Sequence, residues 1–183
     1  TTGGNIGRYG QRIPKITMYR GTTRLHIVDG STANGNAGCD PAEQLPLNEK
    51  TNVRVEIRPR DTKVFYNNEL KKTCNRTSAS GKSQRRAFEN VKVYVPDPWH
   101  ENADALLENL EIKPLELLKL DRINLKEDKS LQNGNIKIRK LPTNYDVQFD
   151  ITPRAAAGGW ANILHLTTGG NIGRYGQRIP KIT

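Results

Sequence analysis

The chain has two cysteines, Cys39 and Cys74, and an even count fits a single disulfide. Asn75-Arg76-Thr77 is an N-glycosylation sequon that abuts Cys74. Disulfides persist in oxidising compartments. A sequon beside a cysteine pair therefore points to a secreted, extracellular protein. The plainer reading is two buried thiols and an unused sequon. A Cys39–Cys74 bond is expected, with Asn75 facing solvent if it carries glycan.

No other residues gather into a catalytic pattern. His26 and His165 are flanked by apolar residues and read as hydrogen-bonded structural groups. His100 follows Trp99 in a proline-flanked loop and reads as exposed. There is no HxxxH and no paired Cys/His spacing, so no metal site of the zinc type is expected. Ser78, Ser80 and Ser83 lie in a polar stretch without a G-x-S-x-G elbow. Gly3-Gly4-Asn5-Ile6-Gly7 lacks the lysine and the following helix of a phosphate-binding loop. It reads as a hairpin loop whose glycines are free to take positive φ. The expectation is a protein that is not an enzyme and needs no cofactor.

Two minor chemistries stay open. Asp29, Asp40 and Asp97 lie in loops, where aspartates and carbonyls can hold calcium, but no D-x-D-x-D-G series is present. Trp99 and Tyr9, in loops beside polar groups, are candidate sugar contacts. A sugar site would take the form of a concave apolar patch bearing Trp99 or Tyr175 with Asn and Asp around it. Aromatic residues at such places also serve as structural plugs.

The net charge is +10, and a basic surface attracts acidic polysaccharide, nucleic acid or anionic membranes. Many basic residues, such as Arg54 and Arg58 or Lys137 and Arg139, fall at alternate positions, as on a solvated strand face. No recognition helix, zinc pattern or aromatic RNA-binding motif is present, so nucleic acid is not an expected partner. No stretch approaches the roughly 18 apolar residues of a membrane span, and no signal peptide is visible.

The elements that must position these residues repeat with period two. Tyr145, Val147, Phe149 and Ile151 alternate with polar residues, as do Val53, Val55 and Ile57, then Val91, Val93 and Val95, then Ile136 and Ile138. Shorter candidates are 162–166, 15–19, 24–28, 63–66 and 106–112. This is the pattern of half-buried antiparallel strands. Asn34-Gly35-Asn36, Asn67-Asn68 and Asn133-Gly134 mark turns between them. Many short strands separated by turns predict an all-β, antiparallel two-sheet sandwich. Residues 73–86 read as a polar loop tethered by Cys74, and 115–120 as a short helix or an extended connector.

One feature lies outside this pattern. Residues 1–17 and 167–183 both read TTGGNIGRYGQRIPKIT, at an offset of 166 residues. Such identity reads as one period of a tandem array plus an overlap. The second copy adds three basic residues and no acid, so one period carries +7. The other readings are a circular permutant with overlapping ends, and a terminal strand exchanged between subunits.

A long ordered series of motifs adds a family likeness. It begins with Gly159-Trp160-Ala161-Asn162-Ile163-Leu164-His165-Leu166 and Gly173-Arg174-Tyr175-Gly176-Gln177-Arg178-Ile179-Pro180. Leu25-His26-Ile27, Asn34-Gly35-Asn36, Leu47-Asn48, Val53-Arg54-Val55-Glu56-Ile57 and Phe88-Glu89-Asn90-Val91-Lys92-Val93-Tyr94 follow in order. Asp97-Pro98-Trp99 and Leu107-Glu108-Asn109-Leu110-Glu111-Ile112 close it. Together these resemble a jelly-roll domain of the laminin-G and concanavalin-A-like type, as in large repetitive extracellular proteins of cnidarians. The resemblance implies a domain starting near Leu131 and ending near Ile112 of the following period. Residues 1–112 are then the C-terminal part of one repeat, 113–130 the inter-repeat connector and 131–183 the N-terminal part of the next.

The expected function is a structural extracellular protein that forms a fibre or long tether by head-to-tail domain or strand complementation. Its partners are copies of itself, with acidic polysaccharide as a further contact. Thr167, Ile172, Tyr175, Ile179 and Ile182 are the inter-repeat strand residues. In one chain, residues 131–183 should lie apart from the sheets built by 18–112. The alternative is a carbohydrate-binding adhesion module, in which repetition adds avidity.

Overall fold

A computed structural model of the chain describes residues 12–28, 38–75, 87–95, 102–115, 123–125 and 135–167. Among the described residues there is no helix. The strands in chain order are β1 (Lys15–Met18), β2 (Leu25–Val28), β3 (Thr51–Ile57), β4 (Asp61–Tyr66), β5 (Glu69–Asn75) and β6 (Phe88–Tyr94). They continue with β7 (Ala105–Pro114), β8 (Ile123–Leu125), β9 (Asn135–Leu141), β10 (Tyr145–Pro153) and β11 (Ala161–Thr167). Two antiparallel sheets result: five strands in the order β2-β1-β11-β6-β9, and six in the order β5-β4-β3-β10-β7-β8.

Alternation decides which side chains meet. Val53, Val55 and Ile57 of β3 lie opposite Phe149, Val147 and Tyr145 of β10 and point to one face. Ile16 and Met18 of β1 lie opposite Leu164 and Ala161 of β11 in the other sheet. All of these belong to a single buried cluster, so the inner faces of the two sheets pack on one another. The all-β, two-sheet expectation holds, with a shared core between the sheets.

The turn signal at Asn67-Asn68 is also borne out, while Asn34-Gly35-Asn36 and Asn133-Gly134 lie outside the described residues. Asn67 and Asn68 have φ of 49° and 67°, and Tyr66 pairs with Glu69 around them. Positive φ at both central residues makes a two-residue hairpin whose twist suits the flanking strands. Asn109, at φ 51°, lies where the β7–β10 register slips between Gln148 and Asp150. There its Nδ2 donates to Asp150 Oδ2 at 2.8 Å.

Two expectations need correction. β10 lies between β3 and β7 of the same chain, with Tyr145 opposite Ile57 and Pro114. β11 lies between β1 and β6. Residues 135–167 therefore do not stand apart from the sheets of 18–112; they supply strands to both. The backbone N–H and C=O groups along both edges of β10 need partners, and the chain itself supplies them in β3 and β7. The tether at Cys74 is also more than a loop, because residues 69–75 form strand β5. Within 113–130, Lys113 and Pro114 end β7 and Ile123–Leu125 pairs with Leu110–Ile112 as β8. Residues 116–120 lie outside the described residues.

Candidate functional site

The duplicated sequence contributes to β1, a fully buried interior strand of the five-stranded sheet. β1 pairs on one side with β2, where Lys15 faces Val28 and Thr17 faces His26. On the other side it pairs with β11, where Lys15 faces His165 and Thr17 faces Asn162. The segment before it is bound as well. Ile13 N–H donates to Leu166 O at 2.9 Å, Leu166 N–H donates to Pro14 O at 2.8 Å, and Tyr145 O–H donates to Ile13 O at 2.7 Å. The Ile13–Pro14 bond is cis. Every residue from 12 to 18 is buried, on the core side through Ile13, Ile16 and Met18 and on the outer side through Arg12, Lys15 and Thr17. Arg12 and Lys15, as buried charges require, have partners. The slot between β2 and β11 thus reads both faces of its strand.

A clasp closes the β1–β2 hairpin. Gly21, at φ 73°, makes the turn and donates its N–H to Ala157 O at 2.6 Å. Tyr19 packs on Trp160 at 4.6 Å between ring centroids, and Arg24 lies 4.6 Å over the Tyr19 ring. The His26 ring is 4.9 Å from Trp160, and its Nδ1 is 2.7 Å from Asp40 Oδ2. Asp40 Oδ1 accepts from Ile27 N–H at 3.1 Å. A Cβ on Gly38 would come within 2.5 Å of that same oxygen, so the close approach of this segment needs glycine. Both oxygens of Asp40 are engaged structurally, which is the role expected for His26. Sequence analysis did not single out Trp160 as a site residue, although it is 40% exposed and lies within the motif series. A lone tryptophan in a glycine-rich stretch gives no sign of which rings it will meet.

The disulfide is present. Cys39 and Cys74 are bonded with Cα atoms 5.7 Å apart, joining the segment beside β2 to edge strand β5. Asn75 ends β5 opposite Asp61 and is exposed. Thr167 is buried at the end of β11, opposite Lys92. His165 is fully buried and partnered. Ile172, Tyr175, Ile179, Ile182, Trp99, Tyr9, His100, Asp29 and Asp97 lie outside the described residues. Among the described residues, no group of three His, Cys, Asp or Glu side chains is placed to hold a metal ion.

A carboxylate pair emerges on the outer face of the six-stranded sheet. Lys63, Glu56, Asp146 and Lys113 form one cross-strand row. Glu56 is bonded to Arg54 and, at 2.9 Å, to Arg58. Burial first, and the neighbouring Glu56 second, push the Asp146 carboxyl up from 3.8 to about 6. A cleft of about 470 Å³ opens nearby, lined by Arg58, Pro59, Arg60, Asp61, Leu115 and Asn144. Neither carboxylate lines it, so the pair is not directed at a substrate there. Two acids facing each other across a strand pair carry no sequence signature, because the pairing itself is long-range.

The Asp146 shift has a definite sign. Its folded-state value exceeds its unfolded one, so the folded chain binds the proton more tightly. Stability should fall as pH rises from about 4 to about 6. The Asp146→Asn variant should lose that decline and melt higher than the parent at pH 7. Melting curves at each pH check this, and parallel pH profiles for the two proteins would refute it.

In comparisons with known proteins, the chain matches no family model, no curated protein and no solved structure.

Proposed function

We propose that the chain is a structural, non-enzymatic extracellular β-sandwich of jelly-roll type that joins copies of itself into a fibre or long tether. One observation carries this reading: among the described residues a slot between β2 and β11 holds the strand at residues 12–17, and the sequence carries a second, identical copy of that strand. The copy not in the slot is a donor strand for another unit. A head-to-tail contact of this kind does not close on itself and grows into a filament. Because β10 pairs with β3 and β7 of its own chain, the bead-like tandem array is set aside and the duplicated segment is read as an exchanged strand. The Cys39–Cys74 bond and the exposed Asn75 support a secreted setting. The net charge of +10 supports acidic polysaccharide as a matrix contact. No helix among the described residues is long and apolar enough to cross a membrane.

Sedimentation or light scattering over a wide concentration range tests the reading. The full chain, annealed and cooled, should grow in mass with concentration. A version ending at residue 167 should hold the mass of a single chain at every concentration. If the full chain also holds one mass near 20.5 kDa at every concentration, the assembly reading fails.

A further inference from the structure

Resting on the self-assembly reading, we infer that the slot between β2 and β11 is a strand-binding site specific for the sequence RIPKIT, and that residues 178–183 of the same chain can replace residues 12–17 in it. The two segments are identical, so every side-chain contact of the first is available to the second. Ile179 and Ile182 would take the buried places of Ile13 and Ile16, and Lys181 that of Lys15 opposite His165.

The direction of the chain agrees. β11 ends at Thr167, and β1 runs antiparallel to it. The roughly ten residues between Thr167 and Arg178 are enough chain to bring the second copy back alongside β11 in that antiparallel sense, a modest loop to close. Tethering at this length supplies the segment at an effective concentration in the millimolar range. Met18, which pairs with Leu25 and Ala161, lies outside the exchanged segment. The first copy holds the slot in this structure because the Tyr19–Trp160 and His26–Asp40 clasp anchors the β1–β2 hairpin next to it. Replacement would leave residues 12–17 as the copy outside the slot, so that either copy could act as the donor strand of the assembly reading.

The test uses redundancy. Ile16 is fully buried, so a carboxylate there cannot be accommodated if no substitute strand exists. Three full-length variants are compared by thermal unfolding: Ile16→Asp, Ile182→Asp, and the two together. Both single variants should retain one cooperative transition, and the double variant should lose it. Loss of the transition in Ile16→Asp alone overturns the inference, and so does a double variant that unfolds like the parent.

Repeating the Ile16→Asp measurement over a hundredfold dilution identifies the source of the strand. A transition independent of concentration means that the segment comes from the same chain, as inferred. A transition lost on dilution means that it comes from a second molecule, which overturns same-chain replacement and leaves the assembly reading standing. A folded Ile16→Asp variant in a protein that never grows in mass supports the inference and removes the assembly reading.

Discussion

Replacing Cys39 and Cys74 together by alanine should lower the folding free energy by about 4 kcal/mol. The bond joins residues 35 apart, and closing a loop of that size removes entropy from the unfolded chain. Two local effects add to this. Cys39 is buried in the core cluster and Cys74 packs against its margin, so the alanine pair also loses apolar contact. The bond further fixes edge strand β5 to the segment that carries Asp40, on which the His26 contact depends. Denaturant titration of both proteins measures the difference. A loss under about 1 kcal/mol would mean that the bond constrains little and that the sheet edges hold themselves.

Phe149→Ala should cost a comparable amount, about 3–5 kcal/mol. Phe149 is fully buried at the centre of β10, opposite Val53, where the two sheets face each other. Close packing leaves neighbouring side chains little freedom to fill the cavity. Phe65 provides the contrast. It is half-buried on the outer face, with the Arg54 guanidinium 4.0 Å from its ring. Phe65→Ala should cost about 1 kcal/mol, the scale of an exposed cation–π contact. Equal losses at the two positions would refute the assignment of inner and outer faces.

Those faces were legible before the fold was known. Tyr145, Val147, Phe149 and Ile151 carry the signature of a strand buried on one side, and so do Val53, Val55 and Ile57. What alternation cannot convey is adjacency. It assigns each strand a face but no neighbour, so the insertion of β10 between β3 and β7 was out of reach. The 166-residue offset then favoured a division that places those strands in different units.

β5 was hidden for another reason. Its sequence, ELKKTCN, has no apolar stripe, because an edge strand is held by backbone pairing to one neighbour and needs little core contact. β8, three residues long, falls below any periodicity. The disulfide was readable from cysteine count alone. The hairpin at Asn67-Asn68 was readable from turn chemistry. The clasp of Tyr19, His26, Asp40 and Trp160 was not, since its members come from three separate stretches of chain. Asp146 and Glu56 were equally hidden, because each looks like an ordinary solvated strand residue until β3 and β10 pair.

The borders of the two sheets determine what kind of solid this protein can make. β5 displays Lys71 and Lys72 along a polar rim, and Lys71 is tied to Glu43 and Glu69. β2 is shielded by bridges from Val28 to Gly38 and from Arg24 to Gln44. Lysine-bearing or capped margins discourage random lateral stacking of sheets. If units join through the β1 slot as proposed, side-to-side pairing at the β5 and β2 edges would be disfavoured, and any lateral growth would fall to the two remaining edges, β8 and β9.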